Sequence, residues 1–251
     1  MKPKPEDLSE VLRRLSLTTI AQHYEDLGRE AAREGLGHVE YLRRLVEAEA
    51  AARYERSVHR RTQAARLPAL KTLEQFDWSW PKKINRAQVQ DLFRLRFIEQ
   101  NSNVVFIARV GLGKTHLAVA LAHSACLHNV STLFAPAVEI VNTLSAAQAT
   151  NTLSKALKTY VAPRLLVIDE LGYLPMDKRG ADLLFQVISA RYERGPIIIT
   201  TNTAYKQWSP IFNNDATLTS AILDRILHHA ETVVIEGSSF RMKDQINTNP
   251  A

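Results

Sequence analysis

Cysteine is almost missing from this 251-residue chain, where Cys126 stands alone. That excludes an intrachain disulfide framework and any cysteine-rich zinc site, and leaves Cys126 as a small apolar residue for a core. Long apolar runs are missing too. None approaches the roughly 18–20 residues that a bilayer crossing needs, so no membrane partner is expected. The opening stretch MKPKPEDLSEVLRRLS lacks the apolar segment of a secretory signal, and the expected compartment is the cytoplasm. Glycine is sparse at first: residues 6–67 hold only Gly28, Gly35 and Gly37. The chain also lacks internal repeats and low-complexity segments.

The rest of the composition suits a globular protein that buries a core, with 45% hydrophobic and 23% charged residues. The net charge of +6, from 32 Lys and Arg against 26 Asp and Glu, leans mildly toward polyanionic partners.

Apolar residues recur at helical spacing early in the chain, at Leu8, Val11, Leu12 and Leu15, then at Tyr41, Leu42, Leu45 and Val46. Two or three helices are predicted, parted by GLG at 35–37. LPALKTLEQFDWSWPKK, residues 67–83, reads as a linker that packs down, and a helix is predicted over about 86–100. From residue 103 short β-rich runs alternate with helical ones: NVVFIA (103–108), STLFAP (131–136), RLLVIDE (164–170), PIIITTN (196–202) and TVVIEG (232–237). Several are continuously apolar, as parallel strands covered on both faces are. The expectation is an α/β fold with a five-stranded parallel sheet over 68–251, preceded by a small all-α domain over 1–67.

GLGKT, residues 111–115, lies between a predicted strand and a predicted helix, the setting that a phosphate-binding loop requires. Backbone N–H groups of such a loop and of the helix start point at phosphate oxygens. Candidate nucleotide contacts are Val110, Gly111, Leu112, Gly113, Lys114, Thr115 and His116. Lys114 would neutralise the β and γ phosphates of ATP, and Thr115 would bind Mg²⁺ through its hydroxyl. LLVIDE ends in Asp169 and Glu170, and an acid at the carboxyl end of a parallel strand faces the ligand crevice. Asp169 is the second candidate Mg²⁺ ligand, and Glu170 the residue that activates the attacking water. Thr201 and Asn202 end the next strand at the same edge, where an amide could bond the γ-phosphate or that water. Arg225 and Arg241 are candidate charge stabilisers, although Arg225 reads equally as a surface ion pair with Asp224 or Glu231. His228 and His229 are adjacent and have no cysteine or acid cluster around them in the sequence, so no metal site is read there.

The ordered set LEQFDWSW, GLGKTHLAVALAHSA, LLVIDELGYLP, IIITTN and LTSAILDRILHHAETVVIEGSSFR resembles the IstB group of AAA+ ATPases. These are helpers of insertion-sequence transposition, related to the helicase loader DnaC. The resemblance spans nearly the whole chain. It implies an AAA+ core, ATP held between subunits of a homo-oligomer on DNA, and stimulation of a partner transposase. It makes Arg225 an arginine finger acting on a neighbouring subunit, Arg241 a second sensor acting in cis, Asn202 the first sensor, and Phe76 a neighbour of the base. Three residues depart from the family pattern: Ala108 for the first loop glycine, Arg109 for a small residue or proline, and Thr203 where relatives often have arginine. A weaker hold on nucleotide or slower turnover is the expectation from them. A helicase loader and a nucleotide-binding scaffold with weak hydrolysis are the competing readings.

Residues 53–71 carry Arg53, Arg56, Arg60, Arg61, Arg66 and Lys71 against one acid, Glu55. On a helix Arg53, Arg56 and Arg60 fall close together, which suits either a stripe tracking DNA phosphates or a solvated, subunit-facing surface. Arg61, Lys155 and Lys158 are further DNA candidates. No base-reading module is visible, so the expected partner is double-stranded DNA with little sequence specificity.

Overall fold

The computed structural model describes residues 7–240. The chain divides into two compact units, Met1–Arg60 and Arg61–Ala251.

The first unit is helical, built from α1 (Leu8–Arg14), α2 (Thr18–Glu34) and the start of α3 (His38–Ala64). Gly35 ends α2 in the left-handed conformation at φ 66°, and its N–H donates to the Ala31 carbonyl. The unit's core is small: Ile20, Ala21, Ala31 and Leu45 are buried, and Glu49 is buried too. That carboxylate accepts the backbone N–H of Thr19 at 2.7 Å and of Ile20 at 3.2 Å, and the guanidinium of Arg53 at 2.9 Å. Burial pushes the Glu49 carboxyl up, but the Arg53 bond and the two N–H donors outweigh it and hold it below its usual range.

The unit boundary falls inside α3. Beyond it, within the second unit, Arg61 Nε donates to the Cys126 carbonyl at 2.9 Å, and buried Ala65 accepts the Phe134 N–H at 2.8 Å.

The second unit continues with α4 (Arg86–Leu92), α5 (Arg96–Glu99), β1 (Asn103–Ala108), α6 (Lys114–Leu127), β2 (Thr132–Pro136), α7 (Ala137–Ala149), α8 (Leu153–Val161), β3 (Leu165–Leu171), α9 (Lys178–Arg191), β4 (Ile197–Thr201), α10 (Ala216–Leu227) and β5 (Ala230–Ile235). All five predicted strands are present, with bounds shifted by no more than two residues. The helix predicted over about 86–100 is instead two. Leu95 adopts φ 60° between them, and the turn lets Leu92, Leu95, Phe97 and Ile98 enter one core, which a straight helix could not do.

The strands pair in parallel in the order β2-β3-β4-β1-β5. Alternate residues face opposite cores. Val104, Phe106, Leu165 and Val167 meet α6 on one side, and Val105, Leu166 and Ile168 meet α7, α9 and α10 on the other. α6 buries nine of its 14 residues and is apolar on every side, as a central helix must be. The linker does pack down: Leu73, Trp78 and Trp80 lie against the α6-side core, and Phe76 is buried within it. Among the described residues no helix is long and apolar enough to cross a membrane.

Candidate nucleotide-binding site

β1 delivers the chain to the carboxyl edge of the sheet, and Gly111, Leu112 and Gly113 turn it into α6. Gly111 and Gly113 take φ 78° and 86°, angles that a side chain would oppose. Space enforces the same choice. A Cβ on Gly113 would lie 2.6 Å from Phe76 Cε2, and one on Gly111 would lie 2.1 Å from Ser239 Oγ. Leu112 is buried in the core beneath, so it anchors the loop and leaves its backbone to the cleft. Lys114, 8% exposed, begins α6, whose N-terminal dipole points at the same space. Ala108 is the last residue of β1 and buried, and its φ is not positive. Its methyl therefore imposes no backbone strain in place of the pattern's glycine.

The cleft over this loop has a volume of about 430 Å³, a size that suits a small-molecule ligand. Phe76 lines it. His116 stands edge-on to Phe76, with ring centroids 5.6 Å apart, and donates to the Thr72 carbonyl at 2.9 Å. Trp80 and Phe240 are among the lining residues that no sequence motif singles out. Their rings meet edge-on at 5.5 Å, Trp80 Nε1 donates to the Ser238 carbonyl at 2.9 Å, and the Phe240 N–H donates to the Gly111 carbonyl at 2.8 Å. The segment after β5 thus returns to brace the phosphate loop, a contact between residues about 130 positions apart that no local signal announces.

The acids arrive from β3. Thr115 Oγ1 donates to Asp169 Oδ1 at 3.0 Å, so the hydroxyl of the loop and the buried carboxylate of the strand are joined. Ile168 pairs with Ile199 and Leu171 with Thr201, so Asp169 and Glu170 together oppose the single residue Thr200. This is a β-bulge. It puts Glu170 at φ 58° and turns its side chain into the cleft, while Asp169 stays 6% exposed. Thr200, fully buried, donates its hydroxyl to Asp169 Oδ1 and accepts the Glu170 N–H at 2.9 Å. Asn202 lines the cleft from the end of β4. Its Oδ1 accepts the Thr203 hydroxyl at 2.9 Å, which leaves its NH₂ for an acceptor.

Other candidates lie elsewhere. Arg225 folds back along α10, donating to the Ala221 carbonyl at 2.9 Å with its guanidinium 4.8 Å from the Phe185 ring centroid. Arg241 lies outside the described residues. Lys155 and Lys158 are exposed one turn apart on α8. Arg53, Arg56 and Arg60 are all exposed on α3, and Arg53 and Arg56 also bond Glu49 Oε1, at 2.9 and 3.2 Å, while Arg53 bonds the Ser16 carbonyl as well. The acid that answers this basic stripe sits one turn before it, outside the stretch read as basic. His228 and His229 gain an acid from afar. Their donor atoms and those of Glu193 lie within 4.8 Å of one another, all three residues exposed, with His228 Nδ1 bonded to the Tyr192 hydroxyl at 2.9 Å.

Comparison with known proteins adds the family. The profile of the IstB-like ATP binding proteins matches residues 10–248. The chain is 38% identical over 239 residues to the ATP-binding protein of insertion sequence IS21 from Pseudomonas aeruginosa, covering 95% of this chain and 90% of the relative. In structure it is similar to the DnaC helicase loader, with TM-score 0.53 and 23% identity over 66% of this chain and 96% of the other. It is also similar to AMPPCP-bound DnaA from Aquifex aeolicus, with TM-score 0.57 and 19% identity over 73% of this chain and 57% of the other. These structural likenesses show a shared fold.

Proposed function

The chain belongs to the family of IstB-like ATP binding proteins, and from that premise we propose that it is a cytoplasmic ATPase that assembles as a homo-oligomer on duplex DNA and stimulates a partner transposase. The observation that carries the hydrolytic reading is the bulge that separates two adjacent acids. Asp169 is buried against Thr115, and Glu170 is exposed in the cleft.

A hydroxyl and a carboxylate 3.0 Å apart are the hard oxygen donors that Mg²⁺ prefers, so Thr115 and Asp169 would hold it. Bound there, the ion would offset phosphate charge. Lys114 and the N–H groups of the loop bind the β and γ phosphates. Glu170 orients a water in line with the γ-phosphate and takes its proton on a carboxylate oxygen. Asn202 donates its amide N–H to that water or to a γ-phosphate oxygen. Arg225, which does not line its own chain's cleft, acts on the nucleotide of a neighbouring subunit, and Arg241 acts in cis. Phe76, Trp80 and Phe240 form the apolar side on which the base rests.

For DNA, exposed Arg60, Lys155 and Lys158 make phosphate contacts, which carry affinity and little sequence preference. Arg53 and Arg56, half exposed while bonded to Glu49, and Arg61 add further phosphate contacts. The transposition reading is favoured over a helicase loader because the relative at 38% identity belongs to an insertion sequence, whereas the likeness to DnaC concerns fold.

The test is ATP-dependent assembly on duplex DNA, viewed by electron microscopy, with Glu170→Gln used to trap the bound state. The expected result is a regular oligomer that forms with ATP and dissolves as wild-type protein releases phosphate. A monomer indifferent to ATP and DNA sinks the oligomeric reading. Assembly without phosphate release, even with DNA and transposase, would leave a scaffold. Capture of the replicative helicase in place of the transposase would leave a loader.

A further inference from the structure

We propose that Thr200, a residue of β4 that reaches no substrate, is the positioning residue for both acids of the cleft. The inference rests on the ATPase reading above. Its basis is the bulge. Two residues of β3 face one of β4, so the regular ladder cannot serve every backbone group there. Thr200 closes the gap with a single hydroxyl, which has one hydrogen to donate and lone pairs to accept with. The hydrogen goes to Asp169 Oδ1, and the oxygen accepts the Glu170 N–H at 2.9 Å. Both bonds are made where Thr200 is fully buried, so water does not compete for them.

The consequences differ for the two acids. Asp169 Oδ1 is shared between Thr115 on the loop helix and Thr200 on β4, so its carboxylate is held from both sides. Glu170 has no bond from Thr200 to its side chain. Its backbone is held instead, in the left-handed conformation at φ 58° that aims the side chain into the cleft. Thr200 also lies two residues before Asn202, so the same strand sets the sensor amide and both acids. A polar residue facing a buried bulge, in the otherwise apolar run IIIT, is hard to explain by packing, since valine has the same shape.

The experiment compares Thr200→Val and Thr200→Ser with the wild type and with Glu170→Gln, in the full chain with DNA. Thr200→Val keeps the volume and removes both bonds. It should lower kcat about 10–100-fold, as loss of a supporting hydrogen bond behind a reacting group does, and leave KM for ATP within about threefold. Amide hydrogen exchange in the peptide containing Glu170 should speed up. Thr200→Ser should restore turnover to within about threefold of wild type. Adding Thr200→Val to Glu170→Gln should cost less than it costs alone, because the two changes disable one unit. Wild-type turnover in Thr200→Val overturns the proposal, and so does a Thr200→Ser variant as slow as Thr200→Val, or full additivity with Glu170→Gln. If Thr200→Val does not fold, Thr200→Ala, which also removes both bonds, takes its place in the turnover and exchange measurements. A wild-type protein that never releases phosphate fails the ATPase reading itself, and the exchange result then stands apart from it.

Discussion

Phe76 occupies the space that a side chain on Gly113 would need, with its Cε2 2.6 Å from where that Cβ would be. The segment before α4 therefore shapes the phosphate loop, and the left-handed φ of 86° at Gly113 depends on both a missing side chain and a ring packed in its place. The relationship makes position 113 one that only glycine fits without displacing a packed ring.

Gly113→Ala should cost about 1–2 kcal/mol in backbone strain alone, with the clash against Phe76 added to it. ATP binding should fall by at least tenfold. Titration with a fluorescent ATP analogue and a thermal melt check the two effects together. Wild-type affinity in the variant would show that the loop relaxes around the methyl.

Ala108→Gly tests the departure at the other end of the loop. Ala108 is strand residue and buried, and its φ is not positive. Restoring glycine should leave ATP affinity within about twofold and cost a few tenths of a kcal/mol or more through a looser unfolded chain. A tenfold gain in affinity would mean that the methyl does hinder nucleotide.

Arg225→Ala should slow hydrolysis in the assembled state and leave the isolated chain's basal rate unchanged. Arg225 bonds the Ala221 carbonyl and lies over Phe185, and it does not line its own cleft. Phosphate release measured across protein concentration separates the cases, with an expected loss of about 10³-fold in the assembly. An equal loss at every concentration would place the arginine in cis.

Glu49 makes the helical unit acid-sensitive. Its ordinary value is 4.5, and in the fold it lies lower because two N–H donors and Arg53 outweigh the cost of burial. A depressed carboxyl contributes its full stability above the unfolded value and loses it as pH falls through the folded one. Amide exchange of α2 and α3 should therefore accelerate below about pH 4.5, and Glu49→Gln should be less stable than wild type at pH 7 with a flatter acid limb. Parallel acid limbs for the two proteins would remove Glu49 from the account.

Arg191, 2% exposed, donates to the carbonyls of Tyr160, Val161, Pro163, Arg164 and Pro196. Burial and the nearby Arg164 pull it down to about 10, so it stays charged at neutral pH. Arg191→Met leaves these acceptors without their donor, at about 1–3 kcal/mol for each that stays buried. A urea melt should show a loss of about 3 kcal/mol or more, and a loss under about 1 kcal/mol would mean that water replaces the guanidinium.

Much of this protein is legible in the chain alone. Five apolar runs alternate with helical segments, and parallel strands covered on both faces need little else to declare themselves. GLGKT, the acids that end LLVIDE and the asparagine that ends IIITTN each carry their chemistry locally, because each sits where a strand stops and a turn begins. The order of the strands is another matter. β4 lies between β1 and β3, so Asn202 falls beside the acids and Thr200 faces the bulge, and crossover packing decides this, not adjacent sequence. The break at Leu95 likewise comes from the core that α4 and α5 share. The basic stripe of α3 looks unanswered in sequence, but Glu49 is buried and needs cations, so Arg53 and Arg56 turn toward it. Local chemistry could be read because it depends on neighbours along the chain. The bracing of the loop by Phe240, the sharing of Asp169 by Thr115 and Thr200, and the use of the arginines depend on groups that only folding brings within bonding distance.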